Sequence, residues 1–298
     1  MESIYKKCNL CPRKCNINRN LSKGYCKVGN NLLIARASLH IWEEPCISGE
    51  NGSGTVFFGG CNLGCIYCQN HQIRDGKTGK TTDEFRLAEI FAELKDQGAN
   101  NINLVTPTHF VPHIIKALDI AKSNGLDIPV VYNSSGYEKV DTLKMLEGYV
   151  DIYLPDFKYY NNKTAKEFSN AENYTDYAKK AIEEMVRQRG ESEFFENGLM
   201  KSGVIVRHLL LPNHLEESKE IIKYLYETYG NKIYISIMNQ YTPMPQVANH
   251  KTLCNRVSDA DYDELINYAV DIGVENGFIQ EGETALESFI PPFDNSGV

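Results

Sequence analysis

In 298 residues the chain has no apolar run approaching the ~20 residues of a membrane helix. Its longest apolar stretches are strand-sized, and even Val204–Leu211 is interrupted by Arg207 and His208. Positive charge is also in short supply. Lys and Arg number 31 against 39 Asp and Glu, a net charge of −8, which argues against a protein held on a nucleic-acid backbone. The opening Met1-Glu2-Ser3-Ile4-Tyr5-Lys6-Lys7-Cys8 lacks the apolar stretch of a signal peptide, so a cytoplasmic location without membrane partners is expected. No short repeat or low-complexity tract occurs. Cysteine is nearly missing from residues 69–298, which hold only Cys254. The other eight are Cys8, Cys11, Cys15, Cys26, Cys46, Cys61, Cys65 and Cys68. Disulfide scaffolds are short and secreted, so closely spaced thiols in a reducing compartment point to metal or redox chemistry. With 42% hydrophobic residues, the chain can bury a sizeable core.

From residue 55 the pattern alternates between strand and helix. Thr55–Phe58 reads as a short strand ending in Gly59-Gly60. Thr81 and Glu84 form a capping-box signature before a helix carrying Leu87, Ile90, Phe91 and Leu94, which Gly98 stops. Strands follow at Asn101–Thr106, Pro129–Tyr132, Val150–Leu154, Val204–Leu211 and Lys232–Met238. Helices are expected at Val111–Asn124, Val140–Glu147, about 164–190, Glu216–Tyr229 and Ser258–Ile272, with an excursion at about 190–203. Six βα units in series predict an α/β fold, a parallel sheet covered by helices, open or curled into a barrel. Functional groups then belong in loops at the C-terminal ends of the strands. The division expected is a cysteine-rich N-terminal extension at 1–50 and a barrel at 51–298.

The loop after the first strand reads Gly60-Cys61-Asn62-Leu63-Gly64-Cys65-Ile66-Tyr67-Cys68-Gln69-Asn70. Three thiolates flanked by glycine can wrap one small cluster, and no fourth cysteine follows nearby. Four cysteines would complete an electron-carrying [4Fe–4S] cluster, whereas three leave one iron open. A zinc knuckle would fill four positions. The loop resembles the Cys-x3-Cys-x-aromatic-Cys signature of radical S-adenosylmethionine (SAM) enzymes. The flanking Thr55-Val56-Phe57-Phe58-Gly59-Gly60 and Cys68-Gln69-Asn70 are similar to the glycyl-radical-enzyme activases of the pyruvate formate-lyase type. Leu10-Cys11-Pro12-Arg13, Trp42-Glu43-Glu44-Pro45, Asn101–His109, Asp151–Tyr159 and Arg207–Pro212 resemble an activase-related iron–sulfur group over most of residues 8–280.

The resemblance implies a partial (β/α)6 TIM-like barrel and an oxygen-sensitive, anaerobic oxidoreductase. Cys61, Cys65 and Cys68 would hold a [4Fe–4S] cluster that reductively cleaves SAM to methionine and a 5′-deoxyadenosyl radical. It also implies an electron donor such as flavodoxin or ferredoxin, and a glycyl radical enzyme as target. Radical modification of a small molecule or peptide is the alternative within the class. An iron–sulfur electron carrier or a zinc-stabilised binding protein is the non-enzymatic one.

The same resemblance nominates cofactor contacts. Tyr67 is the signature's aromatic residue, and Asn70 matches an activase asparagine. Asp156 and Lys158 match an Asp-x-Lys segment that contacts SAM; a local ion pair is the plainer reading. Asn133 and Ser135, in Asn133-Ser134-Ser135-Gly136, match a polar activase loop. Where such enzymes often have Gly-Gly-Glu to hold the methionine amine, this chain has Val105-Thr106-Pro107-Thr108-His109. The Thr106 and Thr108 hydroxyls and nearby carbonyls could accept the amine instead; a Thr-Pro turn with Thr108 as a cap is equally open. Arg207 and His208 are adjacent on a strand and face opposite sides, so one of them points inward. Asn239, Gln240 and Tyr241 end the sixth strand and could close the adenine side. Cys46 and Cys254 are given no role; a lone cysteine is usually a small buried hydrophobe.

Cys8, Cys11, Cys15 and Cys26 form a second set with x2, x3 and x10 spacing, on a leader too short for its own core. Zinc suits four thiolates, and so does a second [4Fe–4S] cluster relaying electrons.

Overall fold

A computed structural model of the chain describes residues 2–280 and 291–298; residues 281–290 of the expected 51–298 barrel lie outside the described residues. The elements begin with α1 (Glu2–Lys6), β1 (Leu32–His40), α2 (Pro45–Ser48), β2 (Ser53–Phe58), α3 (His71–Arg74) and β3 (Lys80–Thr82). Next come α4 (Glu84–Asp96), β4 (Ile102–Val105), α5 (Val111–Ser123), β5 (Val130–Ser134), α6 (Val140–Lys144) and β6 (Ile152–Pro155). The chain continues through α7 (Asn162–Ser169), α8 (Tyr174–Arg189), β7 (Glu193–Phe194), β8 (Met200–Leu209) and α9 (Leu215–Tyr229). It then forms β9 (Tyr234–Met238), α10 (Asp259–Asp271) and β10 (Gly277–Ile279).

The strands lie in the order β10-β9-β8-β6-β5-β4-β2-β1-β3, with β7 on β8. The run from β2 to β10 is parallel, and β1 and β3 add antiparallel strands at one edge. The two ends of this order do not pair, so the expected partial barrel is present, one parallel strand longer than six. The short β10 begins at glycine and has too few residues to show a period. β1 ties the leader to the barrel, because its residues 34–40 pair with 53–58 of β2. The division at residue 50 therefore falls between hydrogen-bonded neighbours.

Local chemistry explains most of the remaining differences. Asp83, not Thr81, caps α4: its side chain accepts the Arg86 N–H at 2.9 Å, while Thr81 pairs in β3. The single helix expected over 164–190 is two, because Asn170 takes a left-handed conformation (φ 47) and ends α7. The excursion at 190–203 is a hairpin in which Glu193 pairs with Ser202 and Phe194 with Met200.

Strand alternation fills the barrel interior in two levels. Val131, Leu154 and Ile205 join Cys46 and Ile47 of α2, together with Met200, in one buried cluster at the N-terminal ends of the strands. Two residues further along the same strands, the inward positions are Asn133, Asp156 and Arg207. Cys46 is thus part of the plug, as a buried hydrophobe, whereas Cys254 is exposed. Among the described residues no helix is long and apolar enough to cross a membrane.

Candidate functional site

A cavity of about 180 Å³ opens at the C-terminal ends of the strands. Cys61, Cys65 and Cys68 line it, with Tyr67, Asn70, Thr106, Asn133, Ser135, Asp156, Lys158 and Arg207. Residues brought in from six separate loops and strand ends therefore share one space. Apolar walls come from Leu63, Val105, Leu209 and Met238, and Gln240 and Tyr241 close one side. Asn239 does not line it; its N–H donates to Gln280 Oε1 at 2.8 Å.

The cysteine loop leaves β2 through Gly60, which has φ 88; an added Cβ would lie 2.5 Å from the Cys26 carbonyl oxygen. Only glycine permits that approach. Beyond it, the N–H groups of Leu63 and Gly64 point at Cys61 Sγ, at 3.4 and 3.5 Å. Ser169 Oγ donates to Cys65 Sγ at 3.1 Å, and the Tyr159 hydroxyl lies 3.7 Å from the same sulfur. Tyr159 also donates to the Tyr67 hydroxyl at 2.9 Å. Arg74 Nη1 holds the Cys65 carbonyl at 2.7 Å. Burial pushes the Cys61 thiol up to about 11 and the Cys68 thiol up to about 12, so both ionise only against a cation. Donors aimed at the sulfurs fit thiolates that hold a metal cluster.

Opposite the cysteines lies a charged network. The sheet register sets Asp156 beside Arg207. Arg207 donates to Asp156 Oδ1 (2.9 Å), Glu43 Oε2 (3.0 Å) and Asn133 Oδ1 (2.8 Å). Lys158 Nζ is 2.7 Å from Asp156 Oδ2. Burial is the largest influence on Asp156 and opposes its charge. Lys158 and Arg207 outweigh it, holding the carboxyl below its usual range. Burial likewise opposes the Lys158 charge, but Asp156 and Cys65 keep its pKa raised. The Asp156–Lys158 pair thus forms an ion pair at the wall of the cavity.

Two of the expected contacts, His208 and Thr108, do not line the cavity. His208 turns out of the barrel, its Nδ1 2.8 Å from the Phe157 carbonyl and its Nε2 2.8 Å from Ser218 Oγ on α9. Burial lowers its pKa to about 4, so it is a neutral structural histidine. Thr108 is absent from the cavity lining and donates to Glu138 Oε1 at 2.6 Å. Thr106 lines the cavity, in an uncommon conformation: it is β-branched yet has φ 60.

Glu43, Tyr159, Ser169 and Arg74 were not nominated. Glu43 lies in Trp42-Glu43-Glu44-Pro45 and Tyr159 in Asp151–Tyr159, so the strings were visible while the contacts were not. Ser169 and Arg74 carry no sequence signal, since both act through partners set by the fold.

The family model described as the radical SAM superfamily matches residues 55–225. A protein of Methanocaldococcus jannaschii is 30% identical over 279 residues, covering 90% of this chain and 75% of that one. The 7-carboxy-7-deazaguanine synthase of Bacillus subtilis is 32% identical over 108 residues, 33% of this chain and 44% of that protein. Among solved structures, a radical SAM methyltransferase from Sphaerobacter thermophilus superposes with a TM-score of 0.53 at 13% identity, covering 78% of this chain and 67% of that one. A maturase of the [FeFe]-hydrogenase superposes at 0.51 with 16% identity, covering 74% and 50%. The chain spans about half the length of several solved structures that it resembles.

Proposed function

The chain belongs to the radical SAM superfamily, and from that premise we propose that it activates a glycyl radical enzyme. SAM-dependent radical chemistry and the need for an electron donor follow from the family; the protein target is our reading. It is supported by the activase-like sequence around the triad. The observation that carries the site is the meeting of three cysteine thiols with Asp156, Lys158 and Arg207 in one cavity.

Cys61, Cys65 and Cys68 would hold the [4Fe–4S] cluster. When bound and reduced, the cluster supplies the electron that cleaves SAM to methionine and a hydrogen-abstracting 5′-deoxyadenosyl radical. The chain's own residues bind, orient and shield. Lys158 presents an ammonium toward the cysteine side, and Asp156 holds it there. Arg207, Glu43 and Asn133 fix Asp156 from the other side, so the charged groups are organised before a ligand enters. Thr106 offers its hydroxyl and carbonyl to the methionine amine in place of a carboxylate. Its strained backbone, worth about 1–3 kcal/mol, is what a binding role would retain. Leu63, Val105, Leu209 and Met238 keep water from the radical. A flavodoxin or ferredoxin supplies the electron, and the protein works in an anaerobic cytoplasm.

The likeness to 7-carboxy-7-deazaguanine synthase favours a second reading, radical modification of a small molecule. The test is anaerobic incubation of the reduced protein with SAM. The wild type should release 5′-deoxyadenosine, and the variant with Cys61, Cys65 and Cys68 all changed to Ala should release none. Added glycyl radical enzyme should then acquire a glycyl-radical electron paramagnetic resonance (EPR) signal. Cleavage without that signal for any glycyl radical enzyme of the same cell would transfer the reading to a small molecule. No cleavage by iron-loaded wild type would end both.

A further inference from the structure

We propose that Cys8, Cys11, Cys15 and Cys26 ligate a second [4Fe–4S] cluster, with the buried Arg19 guanidinium as its counter-charge. Arg19 is 1% exposed, and among the described residues no carboxylate lies within ion-pair distance of it. Its Nη1 donates to the His109 carbonyl at 2.6 Å and points at Cys8 Sγ at 4.0 Å, its Nη2 donates to the Gly29 carbonyl, and its Nε has no partner. The rings of Tyr5 and Phe110 cover it at 4.8 and 5.6 Å. A buried cation without an anion is strongly unfavourable, because burial strips its hydration and no charge replaces it. Four neutral thiols supply no counter-charge. Four thiolates around an iron–sulfur core do, because such a centre is anionic.

The leader is arranged around those sulfurs. Cys8, Cys11 and Cys26 are buried, and Cys15 is half-buried. Two backbone bonds, Cys8 N–H to Ile17 O and Asn16 N–H to Cys8 O, fold the first three cysteines into one loop. Gly24 brings in the fourth. A Cβ added there would lie 3.3 Å from Cys26 Sγ and 3.7 Å from Cys15 Sγ, so both sulfurs flank one bare stretch of backbone. The Tyr25 N–H donates to Cys15 Sγ at 3.4 Å, as the Leu63 and Gly64 N–H groups do to Cys61. The small apolar cluster here, Tyr5, Cys8 and Leu10, is too little to hold a leader without a staple.

Proximity to the triad favours a cluster over zinc, because a second redox centre is of use only where it can pass electrons to the first. The leader is fastened to the triad loop: Cys61 N–H donates to Cys26 O at 3.3 Å. Arg13, between Cys11 and Cys15, donates to the carbonyls of Asn62 and Leu63, both at 2.9 Å.

Iron, sulfide and zinc counts on anaerobically reconstituted full-length protein test the site. The wild type should hold about eight irons. The variant with Cys61, Cys65 and Cys68 changed to Ala leaves the leader intact. It should retain about four irons and, on reduction, a cluster EPR signal that SAM does not alter. In that background Arg19→Leu should lower iron retention several-fold, and Arg19→Lys should restore much of it. A triad variant without iron overturns the proposal, and so does wild type with about four irons, whether or not zinc accompanies them. A Cys11→Ala, Cys15→Ala chain that keeps eight irons would overturn it as well.

Discussion

The two ends of the barrel interior are built from the same strands and do opposite work. At the N-terminal end, Val131, Leu154 and Ile205 pack on Cys46 and Ile47 of α2. One inward position further, Asn133, Asp156 and Arg207 form a polar network around a cavity. A shift of two residues along β5, β6 and β8 separates core from chemistry. Stability is concentrated where the interior is dry and apolar, and the cost of buried charge is confined to the end that opens to a ligand. α2 belongs to both levels. It supplies the plug below, while Glu43, just before it, reaches Arg207 above at 3.0 Å.

The contrast breaks most forcefully at the lower level. Leu154 is fully buried, so Leu154→Ala should cost about 2–5 kcal/mol of unfolding free energy. Its SAM affinity, measured on the folded fraction, should stay unchanged; a large loss of affinity would mean that the two levels are not separable. The matching change above is Asp156→Ala. It leaves Lys158 and Arg207 without their shared carboxylate and should weaken SAM binding by about 1–3 kcal/mol. Iron content should not change, which titration followed by EPR can establish.

A buried carboxyl outside the cavity sharpens the contrast by pH. Burial pushes Glu138 from 4.5 up to about 8, against the hydrogen bonds of Thr108, Ser134 and Tyr132. The folded chain therefore holds its proton more tightly than the unfolded chain. Its contribution is fully present below about 4.5 and is lost as pH rises toward 8, at no more than about 1.4 kcal/mol per pH unit. Glu138→Gln should flatten that slope in denaturant titrations across this window, and an unchanged slope would refute the assignment. The smallest effect is expected at Thr106. Thr106→Gly removes strain at φ 60 but adds freedom to the unfolded chain, so stability should move by less than about 1 kcal/mol while SAM binding weakens.

Sequence alone determined the order of strands and helices, a parallel α/β class and the Cys61–Cys65–Cys68 loop, while its periodicity left the sheet open or closed and only the family resemblance implied a partial barrel. Each of the first three is written in neighbouring residues: a period of two or 3.6, a glycine at a turn, three thiols within one loop. It also put Asp156 and Lys158 on one face, because residues two apart on a strand point the same way. Tertiary structure decided what depends on distant partners. Period two required Arg207 and His208 to part, but only the neighbours could choose between them. Asp156 and Asn133 draw Arg207 inward, and Ser218 on α9 receives His208. Glu43 meets Arg207 across 164 residues of chain, and the Cys26 carbonyl meets the triad loop through a hydrogen bond between loops that no local pattern announces. A periodic pattern shows that a side chain faces inward or outward; which groups share the space it faces is decided by the packing of the whole chain.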